Sequence, residues 1–280
     1  MITVARLFKL LFKLKFTRKY YFGLYKRLFR PTNLFGGIAT ICRYGDHQRM
    51  KVDLDEWIQQ NVFLFGIYDA AGIGFIRSFL KKGDAFLDIG ANVGCYTLAA
   101  SDIIGEKGRV IAFEAVKKVA DRLEENVRLN NLANITIVRK AVYEKETLLN
   151  FHVAAQQNLG MSSILHHDTE SGITEEVPAI DLDHFLPGYE LPAIQLVKMD
   201  IEGAEIFALR GMRETLLKYK PHVLIEVSPQ VLPEASERQK IFDFFDDLGY
   251  KSTVLSRNTT LTDIPEGERD RYTNFVFMPV

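Results

Sequence analysis

Apolar positions along this chain switch between two periods, and the switches mark its elements. Residues 69–81 carry apolar side chains three and four apart, the spacing of a helix, and Gly83 stops it. Phe86-Leu87-Asp88 is a short apolar run closed by an acid. It enters Gly90-Ala91-Asn92-Val93-Gly94, a buried strand feeding a turn and then a helix. Residues 109–114 repeat the strand pattern and end at Glu114; residues 117–129 return to the helical period, with Leu123, Val127 and Asn130 along one side. Residues 135–138 read as a third strand, followed by Ala141-Val142, and residues 194–199 as a fourth. A helix over 204–219, a strand over 223–226, a helix over 239–248 and strands over 250–255 and 274–278 complete the series. This alternation predicts a Rossmann-like α/β fold. Its sheet is seven-stranded and mostly parallel, with helices on both faces and an antiparallel last strand, since no helix separates the final pair.

Between the third and fourth strands lies an insertion of about 50 residues, well beyond an ordinary connection. Alternating segments at 147–153 and 174–180 predict a small β-extension over the site. Ser162-Ser163 lies between them; its hydroxyls suit a polar ligand group, or else they form a turn. His166-His167-Asp168 has no third partner at metal-like spacing and reads as a solvated loop.

The first 37 residues have another character. No Asp or Glu occurs before residue 46, while Arg6, Lys9, Lys13, Lys15, Arg18, Lys19, Lys26, Arg27 and Arg30 alternate with Leu and Phe. Lysines interrupt the apolar run too often for a membrane span or a signal-peptide core. Leu7, Leu11 and Leu14 share one helical face and Lys9 and Lys13 another. Two readings stay open: a basic amphipathic helix lying on an anionic membrane surface, or a helix whose Leu/Phe face packs on the domain. Residues 31–37, with Pro31, Gly36 and Gly37, make the natural boundary, giving a 1–37 extension and a 38–280 catalytic domain.

Composition narrows the class. At 280 residues and net charge −1 the chain can bury a large core and shows no global signal for nucleic acid. Cys42 and Cys95 are far apart in sequence, which argues against a disulfide framework and fits a cytoplasmic enzyme. Cys95 follows Gly94 at a helix start, where a thiol pKa can fall, but reads as a packing residue.

The turn at 88–94 carries the chemistry. Gly90 and Gly94 permit positive φ and close approach of a ligand. A dinucleotide fingerprint needs a middle glycine where Asn92 stands. Asp88 at the strand end is unfavourable beside a pyrophosphate and favourable beside a sulfonium and an α-amino group. The turn therefore favours S-adenosylmethionine over NAD. Glu114, at the end of the next strand, offers two acceptors to a ribose diol.

Further motifs spread over most of the chain from about residue 60. Phe65-Gly66-Ile67-Tyr68-Asp69 and Lys82-Gly83-Asp84 precede the turn; Phe113-Glu114, Asn126-Val127-Arg128-Leu129-Asn130, Ser162-Ser163 and Ile180-Asp181-Leu182-Asp183 follow it. Most specific is Val197-Lys198-Met199-Asp200-Ile201-Glu202-Gly203-Ala204-Glu205, with Arg210-Gly211. In these motifs the chain resembles the FkbM family of class I S-adenosylmethionine-dependent methyltransferases. Ala115-Val116 stand where that family usually has proline after the second-strand acid, which loosens the adenine-side expectation. The resemblance implies S-adenosyl-L-methionine at Asp88, Gly90, Asn92, Gly94, Tyr96, Thr97 and Glu114, with Ala141 and Val142 facing the adenine. It also implies sugar, glycan or polyketide-type acceptors, contacted by Ser162, Ser163, Lys198 and Glu226.

Ligands of open α/β sheets bind at the carboxyl ends of the strands. That places Asp200 and Glu202 beside the transferred methyl, Asp200 first as general base or orienting group, because a weakly acidic hydroxyl needs a proton acceptor. Glu205 reads as a helix-start charge, and the carboxylates as a base set more than a Mg²⁺ site. The expectation is an O-methyltransferase for a small-molecule or glycan acceptor, without nucleic acid and with possible membrane contact through residues 1–30. An NAD-dependent oxidoreductase or sugar-nucleotide enzyme, or a non-catalytic cofactor-binding or membrane-surface adaptor, are the alternatives.

Overall fold

The computed structural model describes residues 1–153, 173–256, 258–264 and 269–280; Ser162, Ser163, His166, His167 and Asp168 lie outside them. The chain opens with α1 (Ile2–Phe12), a 3₁₀ segment (Lys15–Tyr20), α2 (Tyr21–Leu24) and a π-helical turn (Tyr25–Phe29). β1 (Ala39–Tyr44) and β2 (Gln48–Asp53) form an antiparallel hairpin, followed by α3 (Trp57–Phe65) and α4 (Ala70–Phe79). Then come β3 (Ala85–Ile89), α5 (Cys95–Ile104), β4 (Arg109–Phe113), α6 (Lys117–Leu129) and β5 (Ile135–Val138). The insertion holds β6 (Ala141–Val142), β7 (Thr147–Val153), β8 (Ile173–Ile180) and α7 (Leu182–Phe185). β9 (Ile194–Met199), α8 (Glu205–Arg210), α9 (Arg213–Tyr219), β10 (His222–Glu226), α10 (Ala235–Asp247), β11 (Tyr250–Leu255), β12 (Leu261–Thr262) and β13 (Asn274–Pro279) complete it.

The main sheet runs β12-β11-β13-β10-β9-β3-β4-β5. β13 is antiparallel to both β10 and β11, and the pairs β10–β9, β9–β3, β3–β4 and β4–β5 are parallel. The seven expected strands are all present; the two-residue β12 adds an antiparallel edge. The insertion forms its own three-stranded sheet, β6-β8-β7, as expected.

Alternation along the strands divides the core. Leu87, Ile89, Val197, Met199, Val223 and Ile225 pack on one face, and Phe86, Val110, Leu196, Leu224 and Val276 on the other. Parallel strands buried on both faces read as unbroken apolar runs, which is why they were legible. The N-terminal layer joins a third cluster, in which Phe12, Tyr21, Tyr25 and Phe29 share a core with Met50, Val52, Val93, Cys95 and Leu98.

Two features depart from the sequence reading. The helix expected over 204–219 is broken at Gly211-Met212. A side chain at 211 would stand 1.9 Å from the Tyr143 carbonyl oxygen, and the Gly211 carbonyl accepts from the Leu182 and Asp183 amides. Asp183 then starts α9 by accepting from the Glu214 and Thr215 amides at 3.0 and 2.7 Å. The β1–β2 hairpin was not anticipated. It is tied to the domain by Tyr44 Oη donating to the Cys95 carbonyl (2.6 Å) and Gln48 Nε2 to that of Leu98 (2.9 Å). Asn126, fully buried on α6, accepts from the Lys51 amide (2.8 Å) and donates to the Val93 carbonyl (2.9 Å), linking the hairpin to the glycine turn.

Candidate active site

The glycine turn lies at the carboxyl end of β3, between β4 and β9. Gly90 has φ +80° and lies against the start of the loop after β9: a Cβ there would be 2.0 Å from the Asp200 carbonyl oxygen. Glycine at 90 therefore brings the turn and the acidic loop together. Asn92 is also left-handed, at φ 51°, a conformation asparagine tolerates.

Each amide in the turn has a partner within the protein. Gly90 and Ala91 donate to the Phe113 carbonyl at 3.0 and 2.9 Å, and Gly94 to the Ala91 carbonyl at 3.0 Å. The Asn92 amide donates to Glu114 Oε2 at 2.9 Å, and the Val93 amide to Asn92 Oδ1 at 2.7 Å. A pyrophosphate cradle needs such amides free. With all five turn amides occupied, the dinucleotide reading loses its main recognition element.

Glu114 is buried at the end of β4. Its Oε1 accepts from the Val116 amide at 2.9 Å, so the carboxylate closes the turn it faces. Burial pushes its pKa up to about 7 against the pull of those amides.

Asp88 is 1% exposed and accepts from Thr97 Oγ1 at 2.5 Å and from the Thr97 amide. Thr97 is itself wholly buried, so this pair anchors α5 to β3 and presents little surface to a ligand. Burial raises the Asp88 pKa to about 6, with Thr97 and Lys198 opposing. Cys95 is buried at the start of α5. Desolvation, followed by Glu56, Asp88 and Asp69, drives its thiol pKa up and overrides the helix-end effect.

Lys198 pairs with Asp88 in the β3–β9 register and is 4% exposed. Its Nζ is 3.3 Å from Asp200 Oδ2 and 5.2 Å from the centre of the Tyr96 ring. Burial works to lower its pKa, but Asp200, Glu226, Asp88 and Asp69 overcome this and the net direction is upward. Lys198 is thus a fixed cation with carboxylates on several sides. Asp200 donates its amide to the Ile89 carbonyl at 3.1 Å, and its side chain is 39% exposed. Glu202 is left-handed at φ 53°, a costly conformation for a non-glycine residue. Desolvation raises its pKa, and Asp200, Glu226 and Glu205 raise it further. Glu226, at the end of β10, is likewise raised by burial and then by Asp200, against Lys198.

Glu205 holds the loop together. Its Oε1 accepts from the Ile201 and Gly203 amides, both at 3.2 Å, and burial brings its pKa to about 7. Among the described residues, no group of three His, Cys, Asp or Glu is arranged to hold a metal.

Two site residues were not singled out from the sequence. Asp69 caps α4 by accepting from the Gly72 amide at 3.1 Å, and its Oδ2 accepts from Tyr96 Oη. Tyr68 is raised by burial and then by Asp200, Glu226 and Asp69, which puts it among the same carboxylates. Asp before a glycine-containing helix signals a cap; nothing in the pattern says that the cap faces the site. Ala141 and Val142 follow β5 directly, in the segment the sequence reading assigned to the adenine side. Both are buried in β6, paired with Ala179 and Ile180, and Ala141 packs with Ala115 beside Glu114.

A family model described as the methyltransferase FkbM domain matches residues 88–252. The chain belongs to the FkbM methyltransferase family. It carries a class I S-adenosylmethionine-dependent methyltransferase domain, and the matched residues run from Asp88 through the 198–205 block and Glu226. Tyr68, Asp69 and the N-terminal layer lie outside the match.

Among curated relatives, hexuronic acid methyltransferase AglP of Haloferax volcanii is 27% identical over 156 residues, 55% of this chain and 60% of that protein. The 23S rRNA (uracil(1939)-C(5))-methyltransferase RlmD of Acinetobacter baylyi is 25% identical over 118 residues, 42% of this chain and 23% of that protein. The chain thus spans less than two thirds of either relative. The crystal structure of methyltransferase FkbM from Methylobacillus flagellatus KT is 17% identical with a TM-score of 0.46, covering 71% of this chain and 44% of that one.

Proposed function

We propose that the protein is an S-adenosylmethionine-dependent O-methyltransferase acting on a hydroxyl of a sugar, glycan or related small polyhydroxyl molecule. The observation that carries this reading is the ring of carboxylates around Lys198 at the carboxyl ends of β3, β9 and β10. The buried Lys198 ammonium contacts Asp200 and feels Glu226, Asp88 and Asp69, while burial and then the Asp200 charge raise Glu202 and Glu226. Such a site suits a cationic methyl donor and a hydroxyl acceptor. Relation to a hexuronic acid methyltransferase supports a sugar, and net charge −1 gives no reason to prefer RNA.

Glu114 would accept from the ribose hydroxyls through the lone pairs its amide bonds leave over, and the left-handed turn at Gly90 and Asn92 would bring the backbone close to the donor. When bound, the donor supplies an electrophilic methyl on a sulfonium. The chain's part is to orient the acceptor oxygen and take its proton. Asp200, held by Lys198 and partly exposed, is placed to orient the hydroxyl or accept its proton. Glu202, raised by burial and then by Asp200, Glu226 and Glu205, is a second proton acceptor in its ionised form. Lys198, 3.3 Å from Asp200 Oδ2, holds that side chain in position.

Calorimetric titration with S-adenosylmethionine tests the donor, and a panel of hydroxylated acceptors, hexuronic acid glycosides first, tests transfer with labelled donor. Asp200→Asn is expected to keep donor binding and to lower turnover about 100-fold or more. No donor binding with or without acceptor would sink the reading; unchanged turnover would remove Asp200 from it.

A further inference from the structure

The N-terminal layer carries two apolar stripes, and only one is packed. On α1, Ala5, Phe8 and Phe12 recur at helical spacing and face the domain. Ala5 and Phe12 are buried, and the Phe8 ring lies 4.9 Å from Phe29 and 6.1 Å from Phe35. A second stripe, Leu7, Leu10 and Leu11, lies on roughly the opposite side of the helix, and Leu14 follows just past its end. These leucines are 61%, 57%, 43% and 50% exposed. Beyond α1, Phe16 is 67% exposed and Tyr20 and Phe22 are exposed as well. Single exposed leucines are ordinary, but a row along one helix side is a patch. The helix is already anchored by the Phe stripe, so its own packing does not account for the second.

Charge identifies what covers it. Arg6, Lys13, Lys19, Lys26 and Arg27 are exposed around the patch, and no acid occurs before Asp46. The Lys19 and Lys26 ammoniums lie 5.0 and 4.4 Å from the centres of the exposed Tyr20 and Phe22 rings. A rim of one sign, without an interleaved acid, complements a surface that is anionic throughout.

We propose that α1 docks flat on an anionic lipid bilayer, its leucine stripe and Phe16 at the acyl boundary and the surrounding Lys and Arg among the headgroups. No single helix among the described residues is long and apolar enough to cross a membrane. The layer also reaches toward the site: Phe65 packs 5.9 Å from Phe12 and 5.1 Å from Tyr21, and the chain continues from it to Tyr68 and Asp69. A docked N-terminal layer would therefore hold one rim of the acceptor site near the lipid surface.

Sedimentation of the full chain with vesicles tests this without any assumption about the acceptor. The protein is expected to pellet with phosphatidylcholine and phosphatidylglycerol in about equal parts, to stay in solution with phosphatidylcholine alone, and to be released by salt. Leu7→Gln, Leu10→Gln and Leu14→Gln together are expected to weaken pelleting by about tenfold or more. Lys13→Gln, Lys19→Gln and Lys26→Gln together should do the same through lost charge. Circular dichroism reports folding, and Phe16→Ser, beyond α1, carries the apolar test if the triple variant is unfolded. Failure of the wild type to pellet with anionic vesicles would overturn the proposal. So would equal pelleting by wild type and a folded apolar variant, which would show a polycation without insertion.

Discussion

Gly90→Ala separates close approach from simple backbone strain. Gly90 and Gly66 have nearly the same positive φ, +80° and +78°, but a Cβ at Gly66 meets nothing within 4 Å, whereas at Gly90 it meets the Asp200 carbonyl oxygen at 2.0 Å. Strain alone costs about 1 kcal/mol in either case. A carbon and a carbonyl oxygen normally stay about 3.3 Å apart or more, so the loop after β9 must retreat by about an ångström. It is held from the other side by the Asp200 amide on Ile89 and by Glu205 on Ile201 and Gly203. Losing one such bond costs about 1 kcal/mol, and overpacking adds about 1–3 kcal/mol. Urea denaturation should therefore show Gly90→Ala losing about 3 kcal/mol or more and Gly66→Ala about 1 kcal/mol. Because Asp200 moves with the loop, turnover should fall about 100-fold in Gly90→Ala. Equal losses in the two variants would refute the claim that this contact sets the site.

Stability should fall as pH rises through neutrality. Asp88 is raised to about 6, and Glu56, Glu114 and Glu205 to about 7, all by burial. The folded state therefore binds more protons than the unfolded one above the ordinary carboxylate pKa, and this contribution is lost through the folded values. Melting temperature is expected to drop between about pH 5 and about pH 8, and Glu56→Gln to flatten part of the slope; a flat or rising profile in the wild type would contradict the burial argument. Asn126→Leu strands the Lys51 amide and the Val93 carbonyl, and should cost about 2 kcal/mol in urea denaturation and weaken donor binding through the turn. A wild-type midpoint and affinity would show that this bridge is idle. A Cβ on Gly72 would lie 1.6 Å from Tyr96 Oη. Gly72→Ala should thus be strongly destabilising, and Tyr96→Phe should relieve part of that loss; simple additivity of the two losses would exclude the collision.

Where physics is local, the sequence was a reliable guide. Strands 135–138, 194–199 and 250–255 and the 117–129 helix fall where apolar period and terminating residues put them. The β1–β2 hairpin escaped because its apolar face, Met50 and Val52, is covered by distant segments from α6 and the N-terminal layer. Gly211 broke a helix whose period continues through it, because Tyr143 and α7 approach from the insertion. The acidic loop after β9 was readable as a cluster. That Asp69 and Tyr68 join it from the start of α4 is tertiary information. Likewise, the leucines of α1 are visible as a stripe in sequence, but which stripe packs is decided by where Phe29 and Phe35 return.

Asn92 shows how one residue changes what such a turn can recognise. In a phosphate-binding turn the backbone amides are the ligand's partners, and glycine there leaves them bare. Here Asn92 takes the left-handed conformation without glycine, and its own Oδ1 occupies the Val93 amide. Its amide is in turn occupied by Glu114, a buried carboxylate that an incoming phosphate would have to displace or repel. The turn thus presents acceptors where a phosphate cradle presents donors. With Lys198 as the buried cation among Asp69, Asp88, Asp200 and Glu226, recognition rests on side-chain carboxylates. That polarity favours a ligand carrying cationic and hydroxyl groups over one carrying a diphosphate. In the proposed enzyme, cofactor choice and proton acceptance therefore draw on the same cluster of carboxyl groups.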